Sequence, residues 1–325
     1  MARANRLNRP LDSALVPRLA QPATFMRLPF VDSAEGLDIA LFGVPYDLGC
    51  TNRNGPRLGP SQIREMSRII RSVSATGFDP YGVANVADVG DAPCNQIDYK
   101  RALQQIEDFV ATVTSQGAAP VCVGGDHTVP LPVFRGLKKG GYISDPVAVF
   151  HVDAHPDTKE SLGDTEINHG TSFAHTVDEG LQDPKRTVQL GLRGTRYHVD
   201  EFKGSYDRGM RVITMDEFEE LGRKGTLAVI RDVIGQAPCY VTIDVDGIDP
   251  ICCPGTGSPE PGGIMMRDMQ MILRGMRGMN IIGGDVCEVA PPLDPTGMTA
   301  LNAANLMFDI LCLTAETIGR KNGRL

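Results

Sequence analysis

The run at 146–150 is apolar from end to end and then meets His151-Val152-Asp153-Ala154-His155-Pro156-Asp157. A strand that is apolar without polar alternation belongs in a sheet covered on both faces, and that requirement excludes most architectures for the chain. Read as extended backbone, Asp153, His155 and Asp157 occupy alternate positions and point the same way just where the strand should end. Unpaired ionised groups are expensive to bury, so two carboxylates and an imidazole converging there imply a divalent metal.

Two further strands deliver the same chemistry. The run at 239–243 leads into Asp244-Val245-Asp246-Gly247-Ile248-Asp249-Pro250, with carboxylates at i and i+2, and the run at 121–123 opens into Gly124-Gly125-Asp126-His127. Together they offer more ligand than one small ion needs, and carboxylates can bridge two ions about 3.5–4 Å apart. A carboxylate-rich, mixed nitrogen and oxygen set suits Mn, Ni, Co or Fe rather than a closed zinc site. The candidate ligands are therefore His127, Asp153, His155, Asp157, Asp244 and Asp246, with Asp126, Asp249, Asp285 and His151 read as supporting or turn residues. Glu288 ends the apolar run at 281–287, where a carboxylate that is not a ligand fits a cationic substrate. His169 lies between the metal-bearing loop and the next helix, a placement suited to moving protons.

The strand-then-helix alternation runs through the rest of the chain. Strands are expected at 38–44, 83–89, 121–123, 147–150, 187–192, 212–215, 239–243 and 280–286. Helical spacing begins at residue 60, runs from the cap Asp98 to Gly117, and recurs near 128–138, 172–179, 216–221, 226–234, 266–278 and 299–317. The expected fold is α/β, a three-layer sandwich around a mainly parallel eight-stranded sheet, with the ligands at its carboxyl edge. Residues 38–325 read as one catalytic domain. Residues 1–37, with Pro10, Pro17, Pro22 and Pro29 and no periodicity, read as an extended N-terminal arm of the kind that drapes over a neighbouring subunit.

Composition narrows the partners. Lys plus Arg number 32 against 40 Asp plus Glu, a net charge of −8, and the basic residues are scattered, which argues against nucleic acid and for a neutral or cationic small substrate. The eight cysteines show no C-x-x-C spacing and read as reduced thiols, in keeping with a cytoplasmic protein. No signal-peptide core and no run approaching 18 apolar residues is evident, so no membrane is expected. Gly-rich phosphate-binding fingerprints are missing.

Four ordered motifs now resemble one family. Gly124-Gly125-Asp126-His127, the 151–157 segment, Asp244 to Pro250 followed by Pro254-Gly255-Thr256-Gly257-Ser258-Pro259-Glu260-Pro261-Gly262-Gly263, and Glu288-Val289-Ala290-Pro291 are similar to the ureohydrolases: arginases, agmatinases and related guanidino-compound hydrolases. Gly43-Val44-Pro45-Tyr46-Asp47 and the segments 85–90 and 304–309 resemble the agmatinase and guanidino-acid hydrolase branch. The resemblance implies an arginase-like fold and two divalent ions, Mn or Ni. One would be held by His127, Asp153, Asp157 and Asp244, the other by Asp153, His155, Asp244 and Asp246. It further implies that a guanidino compound is cleaved to urea and an amine, that Glu288 holds the guanidinium, and that His169 passes a proton to the leaving amine. Assembly as a homotrimer or hexamer, or with a paralogous subunit, is expected on the same ground.

The substrate tail is read from the loop at 158–168, which lines it in the family. Here the loop lacks the Phe-Gly-x-Lys segment common in agmatinase-like members and carries Glu160, Asp164 and Glu166 against Lys159. Leu162 and Asp164 are the candidate substrate-binding residues. Acids within a Debye length of about 8–10 Å favour cations, so the expected order is agmatine, then an alkylated guanidine or a biguanide such as metformin, then guanidinopropionate and guanidinobutyrate. Arg53 and Arg57 are the residues that could reverse it by reaching a substrate carboxylate. A deacetylase on the same fold and a silent partner subunit of a ureohydrolase oligomer are the rival readings.

Overall fold

The computed structural model describes residues 7–162 and 164–325. Eight strands form one sheet: β1 (Ile39–Gly43), β2 (Val86–Asp91), β3 (Ala119–Val123), β4 (Val147–Val152), β5 (Gln182–Leu192), β6 (Arg211–Thr214), β7 (Cys239–Asp244) and β8 (Ile281–Cys287). Their order is β2-β1-β3-β8-β7-β4-β5-β6, and every described pairing is parallel. The helices are α1 (Gly59–Ser67), α2 (Tyr99–Ser115), α3 (Pro130–Lys139), α4 (Ser172–Asp178), α5 (Lys203–Arg208), α6 (Met215–Ile234), α7 (Met266–Gly275) and α8 (Met298–Lys321).

The period of two along β4 explains the three layers. Ala148, Phe150 and Val152 join a core built with Ile230 of α6, Leu273 of α7 and Met307 of α8. Val147 and Val149 face the other way, toward Val110 of α2, Phe134 of α3 and Phe173 of α4. Each such side chain contributes about 1.5–3 kcal/mol by leaving water. Every residue of β4 is buried, as a strand without polar alternation requires.

Several boundaries differ from expectation for local reasons. β5 begins five residues early through a single pairing of Gln182 with Val147. It resumes at Thr187, because Pro184 cannot donate to a ladder. The short α5, which contains Gly204, carries too little periodicity to be read from the sequence. The two helices expected at 216–221 and 226–234 are one element broken at Gly222, whose φ is 58°. α8 is long and apolar enough to span a membrane by composition, but it packs against β8, β3, α1 and α7 as a core helix.

Residues 1–6 of the expected arm, and Gly163 of the 158–168 loop, lie outside the described residues. The arm packs on its own domain: Asn8 N–H donates to Asn85 Oδ1 at 3.0 Å, Phe25, Met26 and Leu28 are buried, and Val31 N–H donates to Asp88 O at 3.0 Å. This segment covers β2, an edge strand that would otherwise offer an open row of backbone groups. Arg64 of α1 fastens it. Its guanidinium meets the buried Asp88 at 2.9 and 3.1 Å and Asp91 at 2.7 Å, and lies 4.1 Å from the Phe25 ring centroid.

Removing Arg64 leaves Asp88 buried without its counter-charge. We expect Arg64→Ala to lose about 3–5 kcal/mol in urea unfolding, the usual cost of breaking a buried pair, and to open the arm to limited proteolysis. Unchanged stability would mean that the arm does not depend on this clamp.

Candidate metal centre

All six candidate ligands lie at the carboxyl ends of β3, β7 and β4, and Glu288 follows β8, which stands between β3 and β7. Four neighbouring strands thus carry the site. The crossing chain makes this arrangement, since β7 and β8 enter the sheet between β3 and β4, where ligands bind in open α/β sheets.

Asp153 is the centre of the cluster. Its Oδ2 lies 2.9 Å from His127 Nδ1 and 2.9 Å from His151 Nε2, while Oδ1 lies 3.5 Å from His155 Nδ1. Asp157 Oδ2 and Asp244 Oδ2 approach the same His127 nitrogen at 3.1 and 3.5 Å, and Asp246 Oδ2 approaches His155 at 3.2 Å. Asp153, His155 and Asp157 therefore do not point the same way, contrary to the extended reading. The strand ends at Val152, and Pro156 with a positive φ of 50° at Asp157 curls the chain back, so that His155 and Asp157 fall on opposite sides of Asp153.

Two donor groups with ligand atoms within 4.8 Å of one another share Asp153: His127, His151, Asp153 and Asp157 on one side, Asp153, His155 and Asp246 on the other. Hydrogen bonding removes His151 from the first. Gln189 Nε2 contacts its Nδ1 at 2.9 Å and also donates to Pro156 O, so Nδ1 accepts and Nε2–H points at Asp153. Burial holds its pKa below the ordinary value, as befits a neutral ring that orients a carboxylate. Beneath the site, Thr242 Oγ1 donates to Asp285 Oδ1 at 2.7 Å and must then accept from His127 Nε2 at 2.9 Å. His127 Nδ1 is left facing the carboxylates.

The electrostatics ask for positive charge. Among the described residues no Lys or Arg pairs with Asp126, Asp153, Asp157, Asp244, Asp246 or Glu288. Burial opposes a charged His127, but hydrogen bonds to Asp153 and Asp157 outweigh it and push its pKa well up. Burial likewise opposes His155, which Asp246 nevertheless carries to about 12. Burial, then neighbouring Asp246 and Asp153, hold the Asp244 carboxyl well above the carboxylate range. Burial and Asp153 take Asp157 to about 7. Protons stand here where divalent cations would fit, with oxygen and imidazole donors in two groups around one shared carboxylate.

Opposite the cluster, Glu288 Oε1 accepts from His127 N–H and from His169 Nδ1, each at 2.9 Å, leaving Oε2 without a protein partner among the described residues. Burial would lower the His169 pKa, but Glu288 raises it to about 9. Asp126 is a support: its Oδ2 accepts Gly49 N–H and its Oδ1 accepts Thr128 N–H.

A cleft of about 690 Å³ opens above, walled by Thr51, Lys159, Leu162, Arg196, Glu201 and Glu260. Of the two loop residues expected to meet the substrate tail, Leu162 lines it, whereas Asp164 is exposed and is not part of the wall. Glu160 and Glu166 are exposed outside it too. The loop's charge was legible, but the direction of each side chain was not. Lys159 is the charged residue of that loop facing inward, held by Glu201 at 3.0 Å and 4.7 Å from the Tyr197 ring centroid. Arg53 is tied to Gly257 O and Thr256 O, and Arg57 to the buried Asp47, so neither of the two arginines that could have reversed the expected order turns toward the cleft. Arg196 was missed. It follows the end of β5, the same strand-end position that marked the ligands, and its guanidinium stacks 4.1 Å from Phe202 with no carboxylate partner among the described residues.

The sequence profile described as the Arginase family matches residues 37–313. The chain is 46% identical to a guanidinopropionase of Pseudomonas aeruginosa over 96% of this chain and 97% of that one. It is 40% identical to a mitochondrial agmatinase of Gallus gallus, over 96% and 91% of the two. Among solved structures, the proclavaminate amidino hydrolase of Streptomyces clavuligerus is similar, with a TM-score of 0.88 and 37% identity over 93% of this chain and 99% of that one.

Metal should stabilise the protein more as pH rises. In the folded, metal-free state Asp157 and Asp244 have raised pKa values, so that state binds more protons than the unfolded chain above the ordinary carboxylate range, up to about 7 for Asp157. Raised His155 and His127 extend the excess upward from their ordinary value. Stability of the metal-free protein therefore falls as pH rises through this window, while bound metal displaces the protons. The gap in melting temperature between metal-loaded and chelator-treated protein is expected to widen from about pH 5 to pH 8. A gap independent of pH would contradict this electrostatic account.

Proposed function

The chain belongs to the arginase family, and on that premise we propose that it is a binuclear-metal hydrolase cleaving the guanidinium group of a small guanidino compound to urea and an amine. The observation that carries this is Asp153, a buried carboxylate shared by two donor groups, facing a His169–Glu288 pair. His127, Asp153, Asp157 and Asp244 would hold one ion, and Asp153, His155, Asp244 and Asp246 the other. The donor set suits Mn or Ni. Bound there, the two cations would lower the pKa of a water between them so that hydroxide is available near neutral pH.

The remaining roles fall to side chains. Glu288 Oε2 is free to accept from the substrate guanidinium, which orients the carbon toward the cluster. His169, protonated below about pH 9, is the acid that passes a proton to the departing amine as the C–N bond breaks. A trimer or hexamer would use the arm, whose Leu15 and Leu19 are 81% and 82% exposed and suit contact with a second copy. Eight unpaired cysteines support a cytoplasmic setting.

For the tail we propose a guanidino acid. Arg196 is a stacked guanidinium on the cleft wall with a free fork of donors, the group that recognises carboxylates in pairs. The name of the Pseudomonas relative supports this. Agmatine is the second reading, favoured by Glu201 and Glu260 on the same wall.

Urea release from 3-guanidinopropanoate, 4-guanidinobutanoate, agmatine and dimethylbiguanide, with Mn and Ni compared, tests both. Arg196→Ala should cut kcat/KM for the preferred acid by roughly 10–150-fold, the loss of a charged hydrogen bond, and leave agmatine unaffected. If agmatine is preferred and Arg196→Ala changes nothing, the second reading replaces the first. Asp153→Ala should abolish both metal retention and turnover on any substrate; a variant that keeps two metals and full turnover would remove the bridging role.

A further inference from the structure

The long loop between β1 and α1 supplies a wall of the cleft and has no chemical role in the reading above, yet it touches the proton donor directly. Thr51 Oγ1 lies 2.7 Å from His169 Nε2, and Thr51 N–H points at the same nitrogen from 3.3 Å. A third link runs from His169 N–H to Gly49 O at 3.3 Å. The loop is clamped on both sides of Thr51. Before it, Gly49 N–H donates to Asp126 Oδ2 at 2.8 Å, and Gly49 lies so close to the end of β3 that a Cβ there would meet Thr128 Oγ1 at 2.1 Å. After it, Asn52 donates to Gly257 O at 3.0 Å, and Arg53 donates to Gly257 O and Thr256 O.

The donor and acceptor rules make the hydroxyl special. Glu288 as carboxylate can only accept, so His169 Nδ1 keeps its hydrogen whether the ring is neutral or charged. Nε2 is the nitrogen that changes. In the neutral ring it accepts, and both the backbone N–H and the hydroxyl of Thr51 can serve it. Once protonated it donates, the backbone N–H is left facing another N–H, and the hydroxyl alone can turn and accept.

We propose that Thr51 is a positioning residue that holds the reactive nitrogen of His169 in both of its protonation states, so that the ring is kept in place beside the leaving amine before and after the transfer. For the transfer itself the amine takes the hydroxyl's place on Nε2–H: the Nε2–H bond breaks, an N–H bond forms on the amine, and the Thr51 hydroxyl then turns to donate to the emptied Nε2. The proposal rests on the reading of His169 as the proton donor, and it concerns what keeps that donor in place.

The experiment uses the metal-loaded protein and whichever of 3-guanidinopropanoate and agmatine it hydrolyses. Thr51→Val, which keeps shape and backbone but drops the hydroxyl, should lower kcat by roughly 10–100-fold with KM and metal content little changed, as expected for a misaimed catalytic group. Thr51→Ser should restore most of the rate. His169→Asn should lower kcat by roughly 10²–10⁴-fold, and adding Thr51→Val to it should cost nothing further, because the hydroxyl would act only through the ring. The proposal is overturned if Thr51→Val turns over normally, if the serine variant is as slow as the valine one, or if the two substitutions add. Loss of metal in Thr51→Val would assign the residue to the fold instead. Normal turnover in His169→Asn would remove the donor reading and the proposal with it, whereas a slow His169→Asn beside a normal Thr51→Val would remove the proposal alone.

Discussion

Mutual repulsion among buried carboxylates is the constraint on which this structure turns. Asp153, Asp157, Asp244 and Asp246 are held together at the end of a rigid parallel sheet, with Asp126 and Glu288 beside them. Two like charges about 4 Å apart repel by roughly 4 kcal/mol at the effective dielectric of a protein, so the cluster cannot exist fully ionised without cations. The apolar strands bear that cost, because their burial between two helical layers fixes the carboxyl termini regardless of what the acids prefer. The inner hydrogen bonds follow from the same need: Thr242 and Asp285 turn His127, and Gln189 turns His151, so that each ring presents the right nitrogen to Asp153.

Backbone strain appears at two of the positions where this charge is managed. Asp157 and Glu288 are non-glycine residues with φ of 50° and 66°, conformations that cost on the order of 1–3 kcal/mol and persist only where the surroundings enforce them. For Glu288 the enforcement is visible. Its N–H donates to Gly125 O at 2.8 Å, and Gly125 is packed so tightly under Tyr46 that a Cβ would fall 1.5 Å from the Tyr46 carbonyl oxygen. The twist at Glu288 brings its carboxylate between the His127 amide and His169 rather than along the strand direction.

Strand number, the parallel sheet and the acids at strand ends were legible in the sequence because each depends on residues near one another in the chain. Unbroken apolar runs predicted burial on both faces, and a run that ends in Asp244 or Asp153 predicted which edge would carry chemistry. What could not be read depends on contacts between distant segments. Thr51 and His169 are 118 positions apart, and nothing local marks a threonine in a loop as a partner for a histidine. The acids of the 158–168 loop misled for a related reason: composition records charge but not orientation, and the turn that carries Leu162 inward leaves Asp164 outside. Asp157 was placed at the right strand end while its direction was not legible, since a positive φ at a non-glycine residue leaves no trace in residue type.

The sheet order also sets a schedule for the growing chain. β3 and β4 carry His127 and Asp153 early, yet they are not neighbours; β7 and β8, made last, must enter between them. Until residue 288 has been synthesised, the two early strands expose apolar edges in the middle of an unfinished sheet. Domains generally fold as units during synthesis, and unpaired central edges are where unfinished chains stick to one another. The molecule therefore gains its ability to capture metal and its protection from aggregation in the same late step.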